Sequence, residues 1–597
     1  MPDILTDPPG INTPNSPRQS SIISSQHPRQ SPANLFTLET GYDASHHMTS
    51  NPPPPTNNRL LLLAIPTILL TALLARSLSL QWSPLPYNID GLSELRVAQD
   101  ILFSHHFDFP ALSNEAEGYV SDLPILGLVS AFFSSVIGTS PTTSFQLLAA
   151  ILGAVTVSIF YLIFSQHWPL TRRGSIASAL SLALIGSFVF SSGCTWKETM
   201  GFVLLGLVLY AFPLRRSHSY RVLMTSSLLL FVFTHHLITI AGYVIVTFAV
   251  IFDLANKRTI KDQPFLPLTR DDHFDLITIV SAWSLAVLYY RDISLPYLDF
   301  LTPSTDLYLY LAVAFLLVLV GIKLSRGDRP TTRAPLGLII PVAGTLLMVY
   351  NYVHPIFPGM PAPAGLIALP FLAYLILVAP AWTGAQLVLL KRGQTKNLLL
   401  AMLFGPLSLI LFALLRSNDA ISQLIVYRTF DFVMPAFALL IGVGFAYIVK
   451  GRARAIGMAV GASLVVICAS TLPIAYSSQE LFGVENQTYW YEYDAVQWFS
   501  EHGVESYTSD QRLSETGARL FDLNGSRGLP YDLREGIALN GSSFFVLERI
   551  WSTDGAQEFP FGVVVVSNET ISQKLNDYSV FYVGGPLDNQ LVGFRTR

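Results

Sequence analysis

The chain has 597 residues, of which 51% are hydrophobic and only 13% charged, with a formal net charge of −4. A soluble globular domain carries about a quarter charged residues, so most of this length does not read as soluble. The near-neutral balance offers no basic patch of the kind that binds nucleic acid.

Residues 1–58 are rich in Ser, Pro, Asn and Gln, with Pro52 to Pro55 in a row. Such a segment cannot bury enough apolar surface to fold and is expected to be a disordered cytosolic tail. It is too long and polar for the front of a cleaved signal peptide, so the first span reads as an uncleaved anchor. A bilayer-spanning helix needs about 20 apolar residues. Thirteen such runs are predicted, at roughly 60–80, 144–165, 175–193, 199–213, 222–236, 237–253, 275–290, 307–322, 336–352, 366–390, 398–415, 432–449 and 455–475.

Alternate loops between these runs are basic. With a cytosolic N-terminus the inward loops hold Arg172, Arg173, Arg215, Arg216, Arg221, Lys257, Arg258, Lys261, Arg270, Lys323, Arg326, Arg329, Arg333, Lys391, Arg392, Lys396, Lys450, Arg452 and Arg454. The outward loops between spans hold only Arg96, Lys197, Arg291, Arg416 and Arg428. This is the positive-inside asymmetry of a multi-pass membrane protein. A further apolar run, 123–138, is short and contains Pro124 and Gly127. Counting it as a crossing would invert every later loop, so it is expected to lie on the outer surface or to re-enter there.

An odd number of spans puts the tail after Tyr476 outside. Four of its six Asn residues, Asn486, Asn524, Asn540 and Asn568, stand in Asn-X-Ser/Thr acceptor sites, and none of the twelve earlier Asn residues does. Glycosylation of such sites requires an extracytosolic position. The tail reads as a small α/β domain with strands at 543–551, 561–567, 580–584 and 591–595 and a helix at 495–502. Cys194 and Cys468 both precede it, so no disulfide staples it. The expected fold is an all-α polytopic membrane protein with a small extracytosolic α/β C-terminal domain. Its parts are a tail at 1–58, a transmembrane domain at 59–476 with an outer loop at 81–143, and the C-terminal domain at 477–597.

Ionisable groups near a membrane are costly and mark function. The first outer loop gathers Asp90, Glu94, Asp100, Asp108, Glu115, Glu117 and Asp122, with His105 and His106. Asp90 and Glu94 are four apart, and on a helix both share one face. Such a pair can bind a divalent ion, or one acid can act as base while the other orients the substrate. The same spacing equally suits a helix cap at Asp90 followed by a solvated Glu94. Trp196-Lys197-Glu198 joins the third and fourth spans, and Glu198 can look back toward Asp90. Thr234-His235-His236 joins the fifth and sixth. The adjacent histidines point in different directions on a helix, which favours helix-end contacts over joint metal ligation, and both are candidate contacts to substrate. Arg428, at the outer mouth of the twelfth span, suits two-pronged binding of a phosphate. The competing reading is a salt bridge to Asp431 or Asp419.

At these residues the chain resembles the GT-C membrane glycosyltransferases, and most of all the catalytic subunit of archaeal and bacterial oligosaccharyltransferase. Asp90-Gly-Leu-Ser-Glu94-Leu-Arg96 is similar to that family's first-loop acid, followed by a polar residue and an Arg. The stretch from Asp108-Phe-Pro through Tyr119, Pro124 and Gly138 resembles its Pro-containing surface helix. Glu198 matches the second acid of its Asp-X-Asp/Glu pair, and Arg428, followed by Pro435 and Gly442, its phosphate-serving Arg. The chain departs from the pattern at Trp196, which replaces the first acid of the second pair. It departs again at 351–364, which has no acid, and at Tyr489-Trp490-Tyr491-Glu492-Tyr493-Asp494, a loose echo of the acceptor-reading Trp-Trp-Asp-Tyr-Gly.

The resemblance implies an inverting glycosyltransferase other than a working oligosaccharyltransferase. It would move a sugar from a polyprenyl-phosphate carrier to a glycan, lipid or protein acceptor at the outer face of the cell membrane, in contact with membrane lipids. Asp90, Glu94 and Glu198 would be the catalytic acids, with Arg428, Arg96, His235 and His236 on the substrate. The cofactor stays open: base catalysis by Asp90 without a metal is favoured over a divalent cation such as Mg²⁺ or Mn²⁺. A transporter or flippase of a lipid-linked or polar substrate, or a non-catalytic scaffold, are the rival readings.

Overall fold

The computed structural model describes residues 58–106, 123–168, 170–260, 268–292, 305–325, 342–343, 346, 368–389, 394–417, 420–476, 487–537, 539, 544–553, 555–558, 562–586 and 590–595. The chain divides into two units, Met1–Asn58 and Arg59–Arg597, and the second holds both the apolar helices and the C-terminal sheet. The expected disordered tail and all but three positions of the expected ninth span, 336–352, lie outside the described residues.

Each other apolar run forms helix. In chain order these are α1 (Asn58–Arg76), α2 (Asp90–Ser104), α3 (Ile125–Ile137), α4 (Pro141–Gln166), α5 (Arg172–Leu184), α6 (Gly186–Gly193), α7 (Lys197–Ala211), α8 (His218–Val232) and α9 (His236–Ile260). They continue with α10 (Arg270–Asp292), α11 (Thr305–Ser325), α12 (Ala368–Leu389), α13 (Gln394–Arg416), α14 (Ala420–Phe430), α15 (Met434–Ile448) and α16 (Arg454–Ala469). Ten helical stretches among the described residues are long and apolar enough to cross a membrane, or eleven if the bent pair α5–α6 is one span. The protein is therefore a multi-pass membrane protein. The expected count of thirteen spans is not reached among these residues, because α8, at 15 residues, is short for a crossing.

Small residues let the helices approach. A Cβ on Gly384 would come within 2.0 Å of the Leu440 carbonyl oxygen, and one on Gly444 within 1.9 Å of that of Pro380, so α12 and α15 touch backbone to backbone. The third expected span is broken: α5 and α6 meet at 67°. Polar groups freed at the break find partners. The Ser187 N–H donates to the Tyr374 hydroxyl at 3.0 Å and the Gly186 N–H to Thr471 Oγ1 at 2.8 Å. The fully buried Arg76 donates to the Ala183 carbonyl at 3.2 Å and to Ser192 Oγ at 2.7 Å. The break turns the chain so that the residues joining α6 to α7 meet the start of α2.

The expected surface helix is α3. It buries Leu126, Gly127, Ser130, Ala131 and Ser134 and leaves Phe132 and Val136 exposed.

After α16 and a last turn, Pro473–Tyr476, the chain builds a sheet region. It contains α17 (Trp490–Glu501), β1 (Ser506–Thr508), α18 (Gln511–Phe521), β2 (Asn524–Ser526), α19 (Leu529–Glu535) and β3 (Phe544–Glu548). Then come β4 (Ala556–Glu558), β5 (Gly562–Val564), α20 (Asn568–Asp577), β6 (Ser579–Gly584) and β7 (Leu591–Arg595). The five-stranded sheet runs β2-β1-β3-β7-β6, with β1 parallel to both neighbours and β7 antiparallel to both of its own; β4 and β5 pair apart. Side chains alternate across β3. Phe545 and Leu547 enter a core with Leu529, Trp551 and Phe594, and Val546 enters the opposite one with Val496, Phe499 and Tyr507. The sheet region also packs on the helices: Leu520 is buried among Ile89, Leu92, Leu95, Leu126, Phe145 and Leu148.

Candidate active site

The site begins at the first residue of α2. The N-cap position is Ile89 and Asp90 is the first helical residue, so its carboxylate does not cap the helix; its N–H donates to Asn88 Oδ1 at 2.9 Å. Gly91 explains how α2 comes so close to the α6–α7 connection: a Cβ there would meet Thr195 Oγ1 at 2.3 Å. Within that connection the Trp196 indole N–H donates to the Ser191 carbonyl at 2.7 Å. Lys197 and Glu198 open α7 and diverge. The Lys197 ammonium pairs with Glu94 Oε1 at 3.1 Å. Glu198, in the first turn, gains from the positive helix end and turns to Arg428.

Arg428 lies in the last turn of α14, where a cation complements the negative helix end. Its Nη1 donates to Glu198 Oε1 at 2.7 Å and its Nη2 to Asp90 Oδ2 at 2.9 Å. The guanidinium sits over the Trp196 ring, 4.9 Å from the centroid. Residues from three distant parts of the chain thus meet at one point. Beside them is a cavity of about 10 Å³, lined by Ser191, Trp196, Glu198, Phe202, Arg428, Asp431 and Phe432, room for about one water.

Exposure separates the acids. The Asp90 side chain is 44% exposed, Glu198 5% and Glu94 1%. Of the three, Asp90 alone is open to an incoming molecule. Its partial burial raises its pKa, but the Arg428, Arg519 and Lys197 charges outweigh this and hold it below the ordinary carboxylate value. Burial lifts Glu94 above its ordinary value, with Lys197 offsetting part of the rise.

The residues that the sequence singled out divide into groups. Asp90, Glu198 and Arg428 come together, and His235 Nδ1 stands 3.6 Å from Glu198 Oε1. His236 lies near His235, with ring centroids 4.3 Å apart. Glu94 faces Lys197 rather than solvent, against the solvated reading. Arg96 turns away from the cluster, pairing with Asp100 at 3.0 Å and Asp522 at 2.9 Å and donating to the Leu520 carbonyl at 2.6 Å. Of the four acceptor sites, Asn524 and Asn568 are exposed, and Asn486 and Asn540 lie outside the described residues. Arg428 takes Asp90 and Glu198 as its ion-pair partners, where the competing reading had Asp431; Asp419 lies outside the described residues.

Two participants went unread. Trp196 stood out only as a missing acid, yet it carries the Arg428 guanidinium. Arg519, in α18 of the sheet region, places Nη1 3.7 Å from Asp90 Oδ1 and donates to the Ile89 carbonyl at 2.8 Å. No local pattern around Arg519 points to a residue some 430 positions earlier.

The donor set does not fit a divalent ion. Arg428 stands between the Asp90 and Glu198 carboxylates, Glu94 is engaged with Lys197, and no group of three or more His, Cys, Asp or Glu residues among the described ones is arranged to hold a metal.

No protein-family model matches the chain, and no curated protein does. Among solved structures it is similar to GT-C glycosyltransferases. One is the archaeal oligosaccharyltransferase AglB from Archaeoglobus fulgidus, in complex with an inhibitory peptide and a dolichol-phosphate, at 12% identity and TM-score 0.49, covering 90% of this chain and 75% of that one. Another is the arabinofuranosyltransferase AftD from mycobacteria, at 14% identity and TM-score 0.46, covering 90% of this chain and 40% of that one. ArnT from Cupriavidus metallidurans aligns at 11% identity and TM-score 0.37, covering 90% and 98%.

Proposed function

We propose that the protein is an inverting membrane glycosyltransferase that takes a sugar from a polyprenyl-phosphate carrier at the extracytosolic face and passes it to an acceptor hydroxyl. One observation carries this reading: an open carboxylate, Asp90, shares a guanidinium, Arg428, with a closed one, Glu198. A base that the acceptor can reach lies beside a cation that can take a phosphate.

The step follows from these roles. The carrier phosphate draws Arg428 into paired hydrogen bonds, and Glu198 keeps the guanidinium aimed. The acceptor oxygen attacks the anomeric carbon from the face opposite the phosphate. The new O–C bond forms as the C–O bond to phosphate breaks, and that bond's electron pair leaves with the phosphate oxygen. The acceptor proton passes to the Asp90 carboxylate. A positioned base contributes about 10²–10⁴-fold, and stabilising the leaving charge about 10²–10³-fold.

The test uses purified protein in vesicles with a labelled polyprenyl-phosphate sugar and an acceptor pool. Transfer by the wild type, lost in a folded Asp90→Asn variant, supports the reading. Movement of the carrier between leaflets without transfer, or full turnover by Asp90→Asn, would replace it with transport or with chemistry elsewhere.

A further inference from the structure

We propose that the C-terminal sheet region is a working part of this active site, and that Arg519 is the positioning residue through which it holds Asp90. The inference rests on the glycosyltransferase reading for its effect on turnover, but not for its geometry.

The sheet region grips the start of α2 through one short stretch of α18. Arg519 donates to the carbonyl of Ile89, the residue just before Asp90. The next residue, Leu520, offers its carbonyl to Arg96 and buries its side chain among Ile89, Leu92 and Leu95. Asp522, which closes α18 in a left-handed conformation with φ 54°, supplies its carboxylate to Arg96. Phe521 packs on Tyr493 with ring centroids 5.2 Å apart. Arg519 and Leu520 meet Ile89 while Leu520 and Asp522 hold Arg96, so α18 pins the first two turns of α2, which begin at Asp90.

Arg519 does more than anchor. Asp90 divides its two oxygens between two guanidiniums: Oδ2 faces Arg428 and Oδ1 faces Arg519. The two are held differently. Arg428 turns Nη1 and Nη2 to side-chain carboxylates, and a carrier phosphate competes with both for it. Arg519 is tied by Nε to Glu515 at 2.7 Å and by Nη1 to a backbone carbonyl. When Arg428 turns to the phosphate, Arg519 remains beside Asp90, keeping it ionised and pointed. The other charged groups around Asp90 are Lys197 and Glu198 from α7 and Glu94 from its own helix, with His235 beyond Glu198.

Three full-length variants test this: Arg519→Gln, Arg519→Lys and Asp522→Asn. Asn tolerates the left-handed conformation, so Asp522→Asn weakens the same junction without removing charge beside Asp90. Two readouts are taken on each. The first is the pH profile of transfer, with kcat and KM separated. The second is an infrared titration of the Asp90 carboxyl, identified by its loss in Asp90→Asn. For Arg519→Gln, kcat falls about 10- to 100-fold with KM for the carrier little changed, and the Asp90 titration rises. Arg519→Lys reverses most of that shift, and Asp522→Asn does not produce it. An unmoved Asp90 titration in Arg519→Gln, or an equal shift in Asp522→Asn, overturns the proposal. If the titration moves but the wild type transfers no sugar, the glycosyltransferase reading fails and the positioning role stands. If Arg519→Gln fails to fold, Arg519→Met takes its place with the same expected rise, and an unmoved Asp90 titration there overturns the proposal.

Discussion

Arg428 and Arg215 do the same thing at the two ends of α7, a 15-residue helix about 22 Å long. Each guanidinium holds two carboxylates. Arg215 pairs with Asp253 and Asp275, both at 2.9 Å, and lies 3.8 Å from the centre of the Phe212 ring. Asn397 adds a hydrogen bond to Asp253 at 2.8 Å. No side chain of these ion pairs exceeds 7% exposure, whereas Asp90 at the other end is 44% exposed. The Arg215 cluster therefore ties α8's approach to α9, α10 and α13 and admits nothing else. The Arg428 cluster uses the same chemistry but leaves one acid reachable. Burial of a charge pair by itself signals scaffolding; an opening beside it signals a site.

The largest expected effect comes from removing each guanidinium. Arg428→Gln should lower transfer about 10²–10³-fold while the protein stays folded in membranes. Arg215→Gln strands two buried carboxylates and should cost about 3–5 kcal/mol of stability, with transfer per folded molecule preserved. Turnover and thermal unfolding measured on both variants would break the comparison if the effects were exchanged.

A smaller effect is expected of Glu198→Gln. It keeps a hydrogen-bonding group opposite Arg428 but removes the charge that orients it, so turnover should fall about tenfold, the scale of one hydrogen bond to a charged group. Loss as large as in Arg428→Gln would promote Glu198 from aiming role to chemistry.

The pH profile sharpens the contrast. As the proposed base Asp90 would have to be ionised, and its pKa lies below the ordinary carboxylate value because Arg428 and Arg519 overcome its partial burial. Transfer should persist as pH falls through that ordinary range, with the acid limb below about pH 4. A limb near pH 6 would mean that Asp90 is not the base.

The smallest effect concerns a third cluster, in the sheet region. Buried Arg512 faces Glu492 at 2.7 Å, Glu548 at 2.9 Å and Asp510 at 3.9 Å. Acids outnumber the base. Burial and Glu548 raise the Asp510 pKa against the pull of Arg512, and burial with Asp510 pushes Glu558 up to about 7. The folded state then keeps protons that the unfolded chain has lost above about pH 4. Stability from these groups is full below that pH and fades as pH rises toward 7. Proteolysis of the full chain should nick the sheet region faster at pH 8 than at pH 5 for this reason, and Glu558→Gln should flatten the difference. An unchanged slope in that variant removes Glu558 from the account.

How much of this was readable from the sequence depended on the length of the signal. Spans of some 20 apolar residues announce themselves, and those that fall among the described residues form helix. Strands β1, β2 and β4, at three residues each, are too short for alternation to show, and they were missed. Asp90, Glu198 and Arg428 drew notice because ionisable groups at the mouths of apolar helices are rare. Glu94 and Arg96 drew the same notice, yet they face Lys197 and Asp522. Charge and helical spacing place a side chain on a face but do not say what waits opposite. Arg519 was illegible for the same reason at longer range: its partner is defined only when α18 lands on α2.

The most direct measurement sets Asp90→Asn beside Asp275→Asn in one preparation, recording sugar transferred from a labelled polyprenyl-phosphate donor and the thermal unfolding of each. The account predicts that the first variant melts like the wild type and transfers almost nothing, while the second melts earlier and transfers normally once folded. Normal transfer by Asp90→Asn would contradict it.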